Sequence, residues 1–443
     1  MQSCCRVVTI ATQRKAMKTP RALILFGCLV LAGATAERLA RADISVGSDG
    51  SDGSLYVTSN TVIDLSKAAT ATWDTPSPVA GKGVYDPQKW AVVFKYDSVY
   101  VAPGVSVSFL NNSTNAPVVW LARYGVTIDG YLSLDGHDGV SVGTPAVPGP
   151  GGFRGGKSGS SQTGALGGAG MGPGGGQYGI SAGGGYGTIG YGSGSGMGAG
   201  GGTYGSPQVL PLIGGSGGGG LGWSSGEVFG GGGGGGGILI AAGRIAAING
   251  NIHANGGYGT TSINSAGGGG SGGAIRIVAD QLLGTGSLYA TGSPSSPANP
   301  GRGGVGRVRL EANSMNFTGG GDPVFTLHLP IGNVATVWPS PGSPRIAISA
   351  VGGVPTPGDP NGNLFGGDLQ ISSAASVPVT VTAANVPVGA AMAVKAVLVA
   401  GGQSVTVSAT LTSGDQTAST WTATLPAIPN NGYTLLQAHV TLP

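Results

Sequence analysis

One stretch of this chain recurs 120 residues later without a gap, and no other feature limits the possible folds as much. Val118-Val119-Trp120-Leu121 through Val126-Thr127-Ile128-Asp129-Gly130-Tyr131-Leu132-Ser133-Leu134-Asp135-Gly136 returns as Ile238-Leu239-Ile240-Ala241 through Ala246-Ala247-Ile248-Asn249-Gly250-Asn251-Ile252-His253-Ala254-Asn255-Gly256. A third copy runs from Ile275-Arg276-Ile277-Val278 to Leu288-Tyr289-Ala290-Thr291-Gly292, and Val308-Arg309-Leu310 begins a partial fourth. Each copy holds a short apolar strand, a turn, and a second strand that alternates before a closing glycine. A unit of this size cannot bury its apolar positions alone, whereas stacked copies bury them against one another. The pattern therefore predicts an all-β chain built on a parallel β-solenoid, or β-helix. Residues 99–110 read as an earlier rung and residues 55–65 as another.

The repeats are interrupted between the first and second full copies. Residues 137–237 hold 46 of the 91 glycines, and no ordinary strand or helix tolerates that density, because glycine forfeits backbone entropy and has no side chain to bury. Two arrangements remain open for this glycine-rich, low-complexity insertion. It is either a flexible excursion or a set of polyproline-II-like segments that only glycine lets approach closely. A collagen triple helix is excluded, since the glycines keep no three-residue sequence period.

At the N-terminus, Lys18 and Arg21 precede an apolar run, 22–34, that is too short to span a membrane but suits a signal-peptide core. Cleavage is expected after Ala42, and Met17 is an alternative start. Seven of the 21 basic residues and one of the 18 acidic residues lie in that leader, so the remaining chain is net acidic. Nucleic-acid binding is accordingly not expected. The three cysteines, Cys4, Cys5 and Cys28, also fall within it. The expected organisation is a signal peptide at 1–42, solenoid rungs at 43–136, the glycine-rich insertion at 137–237 and further solenoid repeats at 238–322. A β-sandwich follows at 323–443, where strand-like runs at 345–349, 368–372, 378–383, 391–400, 404–411, 419–425 and 433–442 suggest an immunoglobulin-like type without a disulfide. Secretion or display at the cell surface follows from the leader, with no transmembrane anchor after its removal.

Several motifs match in form and lack the context their chemistry needs. Gly151-Gly152-Phe153-Arg154-Gly155-Gly156-Lys157-Ser158 fits a phosphate-cradling P-loop, yet Pro148-Gly149-Pro150 stands where the strand should be, so no nucleotide partner is expected. Gly222-Trp223-Ser224-Ser225-Gly226 fits a nucleophile elbow but follows glycines, and only His137, His253, His328 and His439 could serve as its base. Asp129, Asp135 and Asp138 are the carboxylates that a polysaccharide-cleaving enzyme on this scaffold would use. Their repeat equivalents are Asn249 and Thr285 for Asp129, and Asn255 and Thr291 for Asp135. That series is turn chemistry, in which short polar side chains satisfy nearby backbone. Asp49-Gly50-Ser51-Asp52-Gly53 and Asp135-Gly136-His137-Asp138-Gly139 could gather oxygens for calcium, and are read as turns instead. No residue is assigned a catalytic, cofactor-binding or metal-ligating role, and no cofactor is expected.

Gly-Gly-Gly-Gly-Ser-Gly-Gly-Ala-Ile-Arg-Ile at 267–277 and Gly-Arg-Gly-Gly-Val-Gly-Arg-Val-Arg-Leu-Glu at 301–311 resemble glycine-rich secreted bacterial proteins with adhesin-like β-helical repeats. The resemblance covers roughly residues 90 to 320 and implies a surface or matrix protein with no shared catalytic motif. The function expected is that of an exported, non-enzymatic structural or adhesive protein. Polysaccharide or matrix components, or further copies of the chain, would be its partners. The alternative is a polysaccharide lyase or hydrolase on a β-helix scaffold.

Overall fold

A computed structural model provides the fold. It describes residues 43–443 except 71–82, 142, 160–165, 180, 193–199, 223–227, 262–265, 294–300, 361–366, 372–375, 400, 428–432 and 443. The leader expected at 1–42, with its three cysteines, lies outside the described residues. All described residues but Asp43 belong to one compact unit, Ile44–Pro443.

Up to residue 328 the chain passes back and forth between two parallel sheets. β1 (Leu55–Val57) enters the first sheet and β2 (Thr61–Asp64) the second, and a 3-10 helix, Leu65–Thr70, follows. β3 (Val84–Asp86) pairs antiparallel with β4 (Ala91–Val101) of the first sheet, and β5 (Ser106–Leu110) joins the second. The same alternation continues through β6 (Val118–Ile128) and β7 (Tyr131–Ser133). A two-stranded hairpin, β8 (Leu221–Gly222) with β9 (Val228–Phe229), then interrupts it. It resumes with β10 (Gly237–Ile248), β11 (Asn251–His253), β12 (Ala274–Gly284), β13 (Ser287–Tyr289), β14 (Arg307–Phe317), β15 (Gly320–Asp322) and β16 (Thr326–His328).

The sequence repeat is also the strand register. Val118 faces Ile238 and Tyr131 faces Asn251, each pair 120 positions apart, while Ile238 faces Ile275 and Ile275 faces Val308. Alternate side chains from both sheets meet in one core, where Phe94, Tyr96, Trp120, Ile240, Ile252 and Leu288 are fully buried. The first halves of the long strands are buried on both faces, so Val119, Leu121 and Leu239 pack outward against Ile44, Tyr204 and Val337. Burial on two faces explains the unbroken apolar runs at 118–122 and 238–242.

Along 231–237 and the segments bonded to it, the glycine-rich insertion takes the second of the two arrangements open to it, while β8 and β9, also within 137–237, pair as an ordinary hairpin. Along 231–237 the amides of Gly231, Gly234 and Gly237 donate to the carbonyls of Gly156, Phe153 and Pro150. Gly232 and Gly235 donate to Gly268 and Ser271, while Gly233 and Gly236 donate to His137 and Leu134. Three partners served in rotation, each at every third residue, is the periodicity of a polyproline-II helix with neighbours on three sides. Segment 267–273 repeats the scheme: Gly267, Gly270 and Gly273 donate to Thr260, Gly257 and Ala254, and Gly269 and Gly272 to Gly301 and Gly304. A Cβ at Gly234 would collide with the Gly215 carbonyl, and one at Gly235 with the Ala254 carbonyl. The array runs directly into β10, β12 and β14 and so extends the levels of the parallel sheets.

The C-terminal part holds β17 (Arg345–Val351), β18 (Val354–Pro355), β19 (Val377–Ala384), β20 (Ala391–Leu398), β21 (Val405–Gly414), β22 (Ala418–Leu425) and β23 (Thr434–Thr441). They form an antiparallel sheet in the order β18-β17-β19-β22-β21-β20-β23, curled so that β17 touches β23. Where two separate sheets are expected, one hydrogen-bonded path connects all seven strands, because β21 changes partner midway. Val405–Ala409 pair with β20 and Thr410–Gly414 with β22. Val379, Val381, Val394 and Trp421 fill the curl. Residues 368–371 are not in a strand, and β18 makes up the number. This sheet packs on the glycine array through Val397, which is buried against Ala169 and Met171.

Candidate functional site

The turns that carry the chain from the first parallel sheet to the second stack above one another and floor an open trough of about 440 Å³. Its polar lining is Asn60, Ser106, Asp129, Tyr131, Asn249 and Asn251. Asn60 Oδ1 accepts the Ser106 amide at 2.9 Å, and Asn249 Nδ2 donates to Asp129 Oδ1 at 2.8 Å. Ladders of this kind form because each repeat places a short polar residue at the same turn position.

Tyr131 joins the trough to a second polar cluster on the outer face of β7, β11 and β13. Its hydroxyl lies 2.9 Å from His253 Nδ1 and 3.2 Å from Asp135 Oδ2. The His253 ring is edge-on to both Tyr131 and Tyr289, with centroids 4.6 and 5.0 Å away. Asp135 also accepts the Ser133 hydroxyl at 3.1 Å and the Asn255 amide at 2.6 Å. Burial, followed by the negative charge of Asp135, pushes the Tyr131 phenol up to about 12. Burial also pushes the His253 imidazole below its ordinary value, and the Asp135 charge offsets only part of that. Near pH 7 both rings are therefore neutral, and they exchange hydrogen bonds without adding charge.

The three carboxylates singled out in the sequence do not converge. Asp129 lies in the trough, Asp135 in the tyrosine–histidine cluster, and Asp138 accepts the Tyr258 amide at 2.8 Å beside the glycine array. The turn series is realised in contacts: Thr291 donates through both its amide and its hydroxyl to Asn255 Oδ1, at 2.9 and 2.7 Å. His253 shares its register position with Ser133 and Tyr289, while His137, His328 and His439 stand on other segments.

The P-loop-like segment is part of the glycine array. Its amides are spent on carbonyls, Phe153 on Gly215 and Gly156 on Gly218, which leaves these two unavailable to a phosphate. Ser224 and Ser225 of the elbow-like motif lie outside the described residues. At 49–53, Asp49 Oδ1 accepts the Ser51 amide, Asp49 Oδ2 meets Lys95 Nζ at 3.2 Å, and Asp52 Oδ2 accepts the Lys95 amide at 2.6 Å. Both carboxylates are thus engaged in the turn and its neighbouring strand. Among the described residues, no three His, Cys, Asp or Glu side chains gather into a metal-holding group.

Sequence reasoning did not single out Tyr131, Asn249 or Asn251 as site residues. The signal was present in the period of two, which puts Tyr131 and Ser133 on one face of β7 and Asp135 in step with them just beyond its end. Compared with protein-family models, curated proteins and solved structures, the chain matches none of them.

Proposed function

We infer that this chain is an exported structural or adhesive protein of a surface or extracellular matrix, without enzymatic activity. In this reading the paired parallel sheets are successive coils of a β-solenoid, residues 1–42 are its export leader, and the C-terminal sheet is a docked module. The observation that carries the reading is the glycine array. Among the described residues, segments 231–237 and 267–273 are each tied to neighbours on three sides by backbone hydrogen bonds. Such a lattice depends little on side chains or charge and suits a load-bearing scaffold.

A second reading, a polysaccharide-active enzyme, draws on the closeness of Tyr131, His253 and Asp135. Against it, the Tyr131 phenol is held protonated far above neutral pH, and glycoside hydrolysis needs two carboxylates facing one bond. The test is to incubate the purified chain with a panel of neutral and acidic polysaccharides, scoring released products and retained protein in the same tubes. Retention without product release is expected. Product release that disappears in Asp135→Asn or Asp129→Asn would overturn the non-enzymatic reading.

A further inference from the structure

The trough runs across the strands, not along them. Thr61 pairs with Val107, Ser106 with Tyr131 and Tyr131 with Asn251, so Asn60, Ser106, Tyr131 and Asn251 lie on four consecutive strand levels. Neighbouring strands are about 4.8 Å apart, which makes the row roughly 14 Å long. It is open along its length, as a site for an interior stretch of polymer has to be.

The chemistry of the lining selects among polymers. Among the described residues, no lysine or arginine lines the trough, and Asp129 is its only charged residue. An acidic chain would meet that carboxylate with nothing beside it to neutralise the repulsion, which is costly at short range. The remaining groups are side-chain amides and hydroxyls, repeated at strand spacing, with the Tyr131 ring adding apolar surface in their midst. A chain of hydroxyl-rich sugars carries both kinds of surface, polar at the rim and apolar on the ring face, and needs no charge partner. The neutral pairing of Tyr131 with His253 extends the same character beyond the trough.

We propose that this row of turns binds a neutral polysaccharide, laid across β2, β5, β7 and β11 with Tyr131 at its centre. The proposal rests on the adhesive reading and adds to it a location and a ligand class. Among the described residues the trough holds one carboxylate, and that one is bonded to Asn249, so it grips the chain without cutting it.

Affinity electrophoresis of the purified chain tests this, in native gels containing mixed-linkage β-glucan, arabinoxylan or polygalacturonate. Retardation by at least one neutral polymer and none by polygalacturonate is expected. Asn251→Glu places a second carboxylate in the row, and Tyr131→Ala removes the ring at its centre. Each should weaken the retardation at least fivefold while the circular dichroism spectrum stays that of the parent, and Tyr131→Ala decides the matter if Asn251→Glu does not fold. Undiminished retardation of both variants would overturn the site while leaving adhesion intact. Retardation by polygalacturonate alone, or by none of the polymers, would overturn it as well. Shortening of the polymer during the run would count instead against the non-enzymatic reading, since the variants report on the site independently of turnover.

Discussion

Asn249 donates its side-chain amide to the Asp129 carboxylate at 2.8 Å, across 120 residues of sequence and one level of the stack. The same step recurs at the next turn position, where the Asn255 amide donates to Asp135 and Asn255 in turn accepts from Thr291. These acids therefore hold neighbouring levels in register. Asp129→Ala should cost about 1 kcal/mol, the worth of one hydrogen bond. Asp135→Ala removes the acceptor for Tyr131, Ser133 and Asn255 and should cost more, about 2–3 kcal/mol. Urea titration followed by tyrosine and tryptophan fluorescence measures both. Equal, negligible losses would show that the ladder does not contribute to stability.

Gly234 tests the glycine array. Alanine there drives a methyl group into the Gly215 carbonyl, which is backbone and cannot swing aside. A loss of about 3 kcal/mol or more is expected, the upper range for overpacking. Gly202→Ala is the matched control, since nothing stands within 4 Å of its Cβ position, and its melting temperature should stay within a degree or two of the parent.

How much of this could be read beforehand differs from region to region. The pairing of β6 with β10 and of β7 with β11 was legible because the repeat that encodes apolar alternation also encodes register. β19 to β23 were legible from alternation between turns. The order in the glycine array was not, because its contacts join backbone to backbone between distant segments and leave no side-chain pattern. The path of β21 was hidden for a related reason: a strand that changes partners at Ala409 alternates just like one that does not. In the trough, Asp129 and Asn249 were visible as repeat equivalents. The contact of Tyr131 with His253 was not, because it is diagonal, made between residues two positions apart in register.

Glu311 predicts how the chain meets acid. Arg276, almost wholly buried, donates to it at 2.8 Å, and Arg309 donates to the same oxygen at 2.6 Å. Burial alone would raise the Glu311 carboxyl, but the bonds and charge of Arg276, then of Arg309, outweigh it and hold the group below its ordinary value near 4.5. A folded-state pKa lowered in this way gives stability that is full above the unfolded value and lost as pH falls through the folded one. Melting temperature should thus drop below about pH 4.5. Glu311→Gln should flatten that drop and cost on the order of 3 kcal/mol at pH 7, where it strands two guanidinium groups. An unchanged acid limb in the variant would rule out this assignment.

Lys395 has the opposite effect, at the seam between the C-terminal sheet and the glycine array. Its ammonium donates to the Gly172 carbonyl at 3.2 Å, and burial pushes it down from 10.5 to about 8. Below pH 8 both folded and unfolded chains carry the proton, and the folded chain bears the cost of burying it. Between about 8 and 10.5 the unfolded chain binds more protons, so this group makes stability rise with pH across that window. The buried tyrosines act the other way: Tyr131, held at about 12, and its like lower stability as pH climbs past their unfolded value of 10. Comparison of the parent with Lys395→Met cancels the tyrosine contribution. The variant should be more stable at pH 7, and its advantage should shrink steadily between pH 8 and 10.5 in calorimetric scans. An advantage that stayed constant across the window would mean that Lys395 keeps its proton in the folded chain, and that the seam is wetter than its burial suggests.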